Sequence, residues 1–124
     1  MRMKCIIEKS QLLNSLTMVS KGMSSRSTLP ILSGIFLEAA TGKLIFQTTD
    51  LEISIKTSTE ALIEKEGMTV VPGKLFSDII KSFPEAAITL ELNNTTLTIS
   101  CLESYFSINT LDPADFPVFP DIIT

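Results

Sequence analysis

The stretch "VPGKLFSDIIKSFPEAAITLEL", residues 71–92, holds a helical pattern between two strand-like segments. Pro72 and Gly73 end the first strand, and apolar residues then recur at the three- and four-residue spacing of a helix. The residues predicted to face inward are Leu75, Phe76, Ile79, Ile80 and Phe83. Lys74, Ser77, Asp78 and Lys81 are left for the outer face. The stretch therefore predicts an amphipathic helix that packs on a sheet and presents two lysines to solvent.

A second helical pattern lies nearer the N-terminus, with Ser10 as its predicted N-cap and Gly22 as its end. Its predicted inner residues are Leu12, Leu13, Leu16 and Val19, with Met23 as a further candidate. Its predicted outer residues are Asn14, Ser15, Thr17 and Lys21. If the two helices lie side by side, Lys21, Lys74 and Lys81 share one surface.

Strand-like segments rich in β-branched and aromatic residues account for most of the remaining chain. They are residues 4–8, 31–39, 43–49, 51–58, 68–72, 87–92, 96–101 and 105–111. The predicted order is β-α-β-β-β-β-α-β-β-β, with one helix in the same place in each half. This pattern predicts an α+β domain with seven or eight antiparallel strands and two helices on one face.

Composition limits the class of protein. The chain has 124 residues, 44% of them hydrophobic and 19% charged, which is typical of a single folded domain. Its longest apolar runs are too short for a membrane span or a secretory signal, so we expect a soluble, cytoplasmic protein. Cys5 and Cys101 lack metal-binding or redox spacing and are predicted to be buried, reduced thiols.

The sequence offers few groups for catalysis. It contains no histidine, no Walker sequence and no G-x-G-x-x-G. Asp50 and Glu52 lie two residues apart on a predicted strand and could hold Mg²⁺, although a turn and a solvated strand face explain them equally well. We therefore expect a non-catalytic protein without metal or cofactor.

Positive charge is concentrated towards the N-terminus. All ten Lys and Arg residues fall within residues 1–81, which also contain eight carboxylates, whereas residues 82–124 contain six carboxylates and no basic residue. Lys21, Lys74 and Lys81 with Arg26 just beyond the first helix form a candidate basic surface, although these charges could also serve only solubility. Because no recognition helix or aromatic stacking platform is evident, any contact with nucleic acid should be to phosphates.

Four segments in order resemble the N-terminal domain of the bacterial sliding clamp, the beta subunit of DNA polymerase III. They are "STLPILSGIFLEA" (27–39), "TTDLEISI" (48–55), "VPGKLFSDIIKSFP" (71–84) and "FSINTLDPADFP" (106–117), and the resemblance extends over nearly all of residues 3–120. It implies a DNA-clamp fold in a ring of two subunits with three similar domains each. Helices would form the inner wall around duplex DNA and sheets the outer wall, without catalysis.

The resemblance also implies roles for individual residues. Arg26 matches a DNA-contacting arginine in the loop after the first helix, and Lys74 matches a basic position at the start of the second. Lys21 and Lys81 are added from helical geometry. Phe106 and Ile108 match apolar positions at the subunit interface, although either could belong instead to the core of this domain.

Two differences from the family pattern concern ring closure and partners. Glu103 and Tyr105 lie at an edge where family members can carry basic residues, which leaves the ionic part of ring closure open. Residues 1–120 would form the first domain and residues 121–124 the start of a linker, with the other two clamp domains absent. The sites for replicative polymerase and clamp loader would lie in those domains. The alternative is a protein-interaction module with an exposed apolar edge strand and no nucleic-acid role.

Overall fold

The computed structural model describes residues 2–22, 33–49 and 53–116. Within this part of the chain, two helices and nine strands follow one another in the order β1, α1, β2 to β6, α2, β7 to β9. The helices are α1 (Lys9–Val19) and α2 (Gly73–Ser82), and short 3₁₀ turns occur at Ser20–Gly22 and Pro113–Asp115. The strands are β1 (Arg2–Glu8), β2 (Gly34–Ala40), β3 (Lys43–Thr49), β4 (Ser54–Glu60), β5 (Leu62–Lys65), β6 (Gly67–Pro72), β7 (Ala87–Asn93), β8 (Thr96–Cys101) and β9 (Ser104–Asn109).

The strands form two antiparallel sheets. The first has the order β5-β1-β7-β8-β9 and the second the order β4-β3-β2-β6. Gly67 lies where β6 passes β1, and a Cβ atom there would approach the Arg2 carbonyl oxygen to 2.8 Å. This position therefore needs glycine, because a larger residue would push the two sheets apart. The α+β fold with antiparallel sheets and two helices was predicted correctly.

Side chains alternate between the core and the surface along most strands. In β1, for example, Met3, Cys5 and Ile7 are buried, whereas the residues between them are partly exposed. Phe46 of β3 and Phe76 of α2 are the largest fully buried side chains. One hydrophobic core thus lies between the sheets and beneath the helices.

The strand prediction missed β5. Residues Leu62–Lys65 pair with β1, which gives nine strands in the described part rather than the predicted seven or eight. This strand is short, and most of its side chains are exposed, including Glu64 and Lys65. It therefore lacks the apolar alternation on which the prediction relied.

The helix predictions were correct in position but partly wrong in orientation. Helix α1 begins at Lys9, and Glu8 rather than Ser10 is the N-cap residue. Ser15 is buried although it was predicted to lie outside, and Leu75 is 48% exposed although it was predicted to lie inside. In each helix, the predicted and observed buried faces therefore differ along one margin. Met23 lies outside the described residues.

Candidate nucleic-acid interface and association edge

The two helices pack against each other and run in opposite directions. The first residue of α1, Lys9, lies at the end of α2, where its Nζ donates to the Lys81 carbonyl at 3.4 Å. Its backbone N–H donates at 3.2 Å to the carbonyl of Ala86, which lies between α2 and β7. At the other end, Ser20 lines the same groove as Lys74, the second residue of α2. The polar faces of both helices therefore border one groove.

Helix α2 places Lys74 and Lys81 on this surface. They are seven residues apart, which is close to two helical turns, and both are exposed. Asp78 lies between them and also lines the groove. Within the described part of the chain, no ion pair shorter than 4.0 Å joins Asp78 to either lysine. Both ammonium groups are therefore available to an anion that approaches the groove.

Helix α1 contributes a nearly neutral wall. The Thr17 hydroxyl donates to the Leu13 carbonyl at 2.9 Å, and the Ser20 hydroxyl donates to the Thr17 carbonyl at 2.9 Å. Lys21 follows in the 3₁₀ turn and is exposed. Ser20, the residue before Lys21, lines the groove with Lys74 and Lys81, and the grouping of Lys21 with these two lysines stays a prediction. Arg26 lies outside the described residues.

The end of α1 is fixed to the second sheet. The Thr48 hydroxyl of β3 donates a buried hydrogen bond to the Val19 carbonyl, where the helix ends. This bond satisfies one of the terminal carbonyls of α1 and holds the turn that carries Lys21 against β3.

Strand β9 is an edge of the first sheet. Among residues 2–22, 33–49 and 53–116, it pairs only with β8, and five of its six residues are exposed. Tyr105 is 70% exposed and Phe106 is 41% exposed. Most natural edge strands carry lysine, proline or a bulge that hinders pairing with another chain. No lysine or arginine follows Lys81 in the sequence, so β9 lacks a basic residue.

The two predicted interface residues differ in exposure. Phe106 is opposite Ile99 and Ile108 is opposite Leu97 in the β8–β9 pairing, so both face the core side of the sheet. Ile108 is only 8% exposed, and it belongs to the core cluster. Phe106 is therefore the main candidate for contact with a partner, whereas Ile108 chiefly anchors the strand.

The turn before β9 was not singled out by the sequence. Leu102 has a φ of +53°, in the left-handed region that a leucine rarely adopts. Its side chain is 76% exposed at the tip of the β8–β9 hairpin. A strained and exposed leucine thus adds to the apolar surface at this end of the edge strand. The sequence signal was the absence of glycine or asparagine from a tight turn.

The two thiols match the prediction. Cys5 and Cys101 are free and buried. Burial raises the pKa of the Cys5 thiol to about 12, because the apolar core disfavours the thiolate. Asp50 and Glu52 lie outside the described residues. Among the residues that are described, no three histidine, cysteine, aspartate or glutamate side chains form a metal-binding group.

Comparison with known proteins identifies the family. The family profile described as "DNA polymerase III beta subunit, N-terminal domain" matches residues 3–120. The chain belongs to the DNA polymerase III beta subunit family. The beta sliding clamp of Micrococcus luteus is 32% identical over 120 residues, which cover 97% of this chain and 39% of that protein.

Solved structures of sliding clamps share the fold. The DNA polymerase sliding clamp of Bacillus subtilis is 32% identical with a TM-score of 0.93, and the match covers 98% of this chain and 34% of that one. The Helicobacter pylori beta clamp, solved with a bound DNA ligase peptide, is 31% identical with a TM-score of 0.90. That match covers 95% of this chain and 33% of that one. The chain thus spans about a third of the length of the clamps that it matches.

Membership in the beta subunit family confirms the resemblance seen in the sequence. The matched segment, residues 3–120, includes both helices, β9 and all of the residues predicted to contact DNA or a second subunit. No helix in the described part of this beta subunit domain is long and apolar enough to cross a bilayer.

Proposed function

We propose that the chain is the first domain of a ring-shaped sliding clamp, which encircles duplex DNA and keeps the replicative polymerase on its template. The clamp acts without catalysis or cofactor. The observation that carries this proposal is the pair of exposed lysines, Lys74 and Lys81, on the groove between two family-matched helices. Lys21 and Arg26 complete the proposed DNA-facing set.

The chemistry of this surface suits a protein that moves along DNA. Lysine ammonium groups attract phosphates whatever the base sequence, and such contacts depend strongly on salt. The opposite wall of the groove includes the uncharged side chains of Thr17 and Ser20, whose hydroxyls donate to carbonyls of α1. Contacts of this kind hold the duplex near the surface without fixing it at one sequence.

We further propose that β9 joins a second clamp subunit, so that the complete protein is a homodimeric ring. Strand addition to an open edge supplies main-chain hydrogen bonds, and side chains of the added strand give specificity. Phe106 provides the central apolar contact and Tyr105 and Leu102 enlarge it, while Ile108 holds β9 in its sheet. On this chain, the surface proposed to close the ring is mainly apolar. Its charged residue is Glu103, in the turn before β9.

The domain extends over residues 1–120 in this proposal, and residues 121–124 begin the linker to the next domain. The burial of Phe116 and its ring contact with Phe36, at 5.4 Å between centroids, support a domain that continues to this point. Polymerase and clamp loader bind the later domains, and the peptide bound by the Helicobacter pylori clamp supports peptide recognition by the complete protein. Its place of action is the bacterial cytoplasm, at the nucleoid.

Retention on closed DNA tests the proposal directly. A complete clamp subunit that carries this chain as its first domain is loaded onto a nicked plasmid, which is then either kept circular or cut once. We expect retention on the circle and release from the linear form. Charge reversal at Arg26 and Lys74 should reduce loading or retention while the circular-dichroism spectrum stays unchanged.

The exposed aromatic edge favours one other function, a protein-interaction module whose lysines are incidental. In that case, charge reversal would leave DNA retention unchanged and substitution of Phe106 would abolish binding to a protein partner. Equal retention on circular and linear DNA would also contradict the clamp.

A further inference from the structure

The C-terminal end of α2 lacks the usual glycine stop. Phe83 is its C-cap residue and has extended backbone angles, φ −79° and ψ 154°. Pro84 explains this conformation, because a residue before proline is disfavoured in the helical region. A helix that ends in this way does not form the left-handed turn that normally satisfies its last carbonyls. Those carbonyls need other donors.

Neighbouring groups supply some of these donors. The Ser82 hydroxyl donates to the Ile79 carbonyl at 2.6 Å, and the Phe83 N–H donates to the Ile80 carbonyl at 3.2 Å. The carbonyls of Lys81 and Phe83 accept from a distant residue, Lys9 of α1.

Lys9 reaches these carbonyls from the start of the other helix. Its Nζ donates to the Phe83 carbonyl at 2.6 Å and to the Lys81 carbonyl at 3.4 Å. The side chain is only 11% exposed, and the carboxylate of Glu85, which is 73% exposed, lies 3.7 Å from Nζ. A cation at this position also interacts favourably with the negative end of the α2 dipole. Lys9 is thus committed to the end of α2, unlike Lys74 and Lys81.

The residue held by Lys9 also supports the edge strand. The Phe83 ring is 3% exposed, and its centroid lies 5.6 Å from that of Phe106, with the planes tilted by 55°. This geometry is typical of a favourable aromatic pair. The Cys101 thiol, at the end of β8, lies 3.8 Å from the Pro84 carbonyl oxygen. One short segment after α2 therefore contacts both strands that form the edge.

We propose that Lys9 is a positioning residue for the association edge. Its ammonium group fixes the Phe83 backbone, and the Phe83 ring in turn holds Phe106 in the orientation that a second subunit meets. This inference rests on the proposed role of β9. It assigns to a lysine on the first helix a role in ring closure rather than in DNA contact.

Nuclear magnetic resonance of the 124-residue chain tests the positioning step without any partner. The variants are Lys9→Met, which keeps the aliphatic stem, Lys9→Arg, which keeps the charge, and Lys4→Met as a control. Lys4 also forms a lysine–carboxylate pair, at 3.6 Å from Glu64, but it lies on β1. The readouts are the Phe106 ring-proton shifts, assigned with Phe106→Leu, and hydrogen exchange of the β9 amides that bond to β8.

We expect Lys9→Met to change the Phe106 ring shifts and to speed exchange of the β9 amides about 10-fold, the effect of losing one hydrogen bond to a charged group. Lys9→Arg should restore most of both signals, and Lys4→Met should leave both unchanged. If Lys9→Met lowers the melting temperature but leaves the Phe106 shifts and the exchange of β9 relative to β7 unchanged, Lys9 is only a helix cap and the inference is wrong.

Dimer dissociation of the complete clamp subunit separates this inference from the proposed function. Changed Phe106 shifts with faster dimer dissociation in Lys9→Met support the inference. Changed shifts with unaltered dissociation overturn the role in ring closure. If Phe106→Ala also leaves dimer dissociation unchanged, the proposed function of β9 has failed, whatever effect Lys9→Met has on the Phe106 ring-proton shifts.

Discussion

Removal of the two α2 lysines should change the salt dependence of DNA binding by a calculable amount. Each phosphate neutralised by a lysine contributes about −0.9 to the slope of log K against log salt concentration. Lys74→Gln with Lys81→Gln should therefore make the slope less steep by about 1.8, regardless of how many other contacts exist. Between 50 and 200 mM salt, the unaltered chain should lose about 12-fold more affinity than the variant does.

Fluorescence anisotropy with a labelled duplex of mixed sequence measures this slope. A second duplex of the same length and scrambled sequence should give the same values, because phosphate contacts carry no base information. The matched control is Lys43→Gln with Lys65→Gln, which removes the same charge from exposed positions on β3 and β5. An equal change in the control would show that net charge rather than the helix surface governs binding. An unchanged slope in the α2 variant would refute the phosphate contacts.

Four further outcomes follow from individual positions. Asp78→Asn should raise DNA affinity about 2-fold at low salt without changing the slope, because an exposed carboxylate beside the two lysines costs only a few tenths of a kcal/mol; unchanged anisotropy titrations would contradict this. Phe76→Ala should lower the free energy of unfolding in urea by about 3 to 5 kcal/mol, because Phe76 is fully buried. Leu102→Gly should raise the unfolding free energy by up to about 1 kcal/mol, since glycine relieves the positive φ. Cys5→Ala should reduce the decrease in unfolding free energy above pH 9, measured by urea unfolding between pH 7 and 10.

Matched controls accompany the Phe76 and Leu102 variants. Leu75→Ala on the same helix should change stability by no more than about 0.5 kcal/mol, because Leu75 is half exposed. Glu103→Gly should not stabilise the hairpin, because Glu103 lacks a positive φ; equal gains at both positions would refute strain at Leu102.

The sign of the pH effect follows from the Cys5 thiol. Its pKa is 9.0 when unperturbed and about 12 in the fold. Above pH 9, the unfolded chain therefore loses this proton while the folded chain keeps it. Stability falls as pH rises through this range, by up to about 1.4 kcal/mol per pH unit. Identical pH profiles for the Cys5→Ala variant and the unaltered chain would contradict a buried, neutral thiol.

Hydrophobic periodicity predicted the helices and strands well where one side of an element is buried and the other faces solvent. It failed at the margins of the buried helix faces. Leu13 was predicted to face the core, but it lines the groove between the helices and is only partly buried, whereas Ser15 is buried. Which margin of an apolar stripe is covered depends on the neighbouring helix, and a single helical pattern does not contain that information.

The candidate site was predictable to a similar extent. Helical spacing placed Lys74 and Lys81 on one face, and the resemblance selected Phe106. The role of Lys9 could not be found from spacing, because the carbonyl that it binds lies 74 residues away in the chain. The sequence did contain a clue, since a helix that ends at Phe83-Pro84 without glycine requires a donor from elsewhere.

The two buried thiols can report local opening in two different parts of this domain. Cys5 lies in β1, within the first sheet, while Cys101 ends β8 beside the edge strand. A thiol reagent reacts with each only when the surrounding structure opens, so labelling of Cys101 reports the opening rate of the β8–β9 hairpin and labelling of Cys5 that of the sheet interior. A subunit that docks on β9 should slow the labelling of Cys101 far more than the labelling of Cys5. The opening rate of the edge can therefore be measured on the unmodified chain, without an added probe.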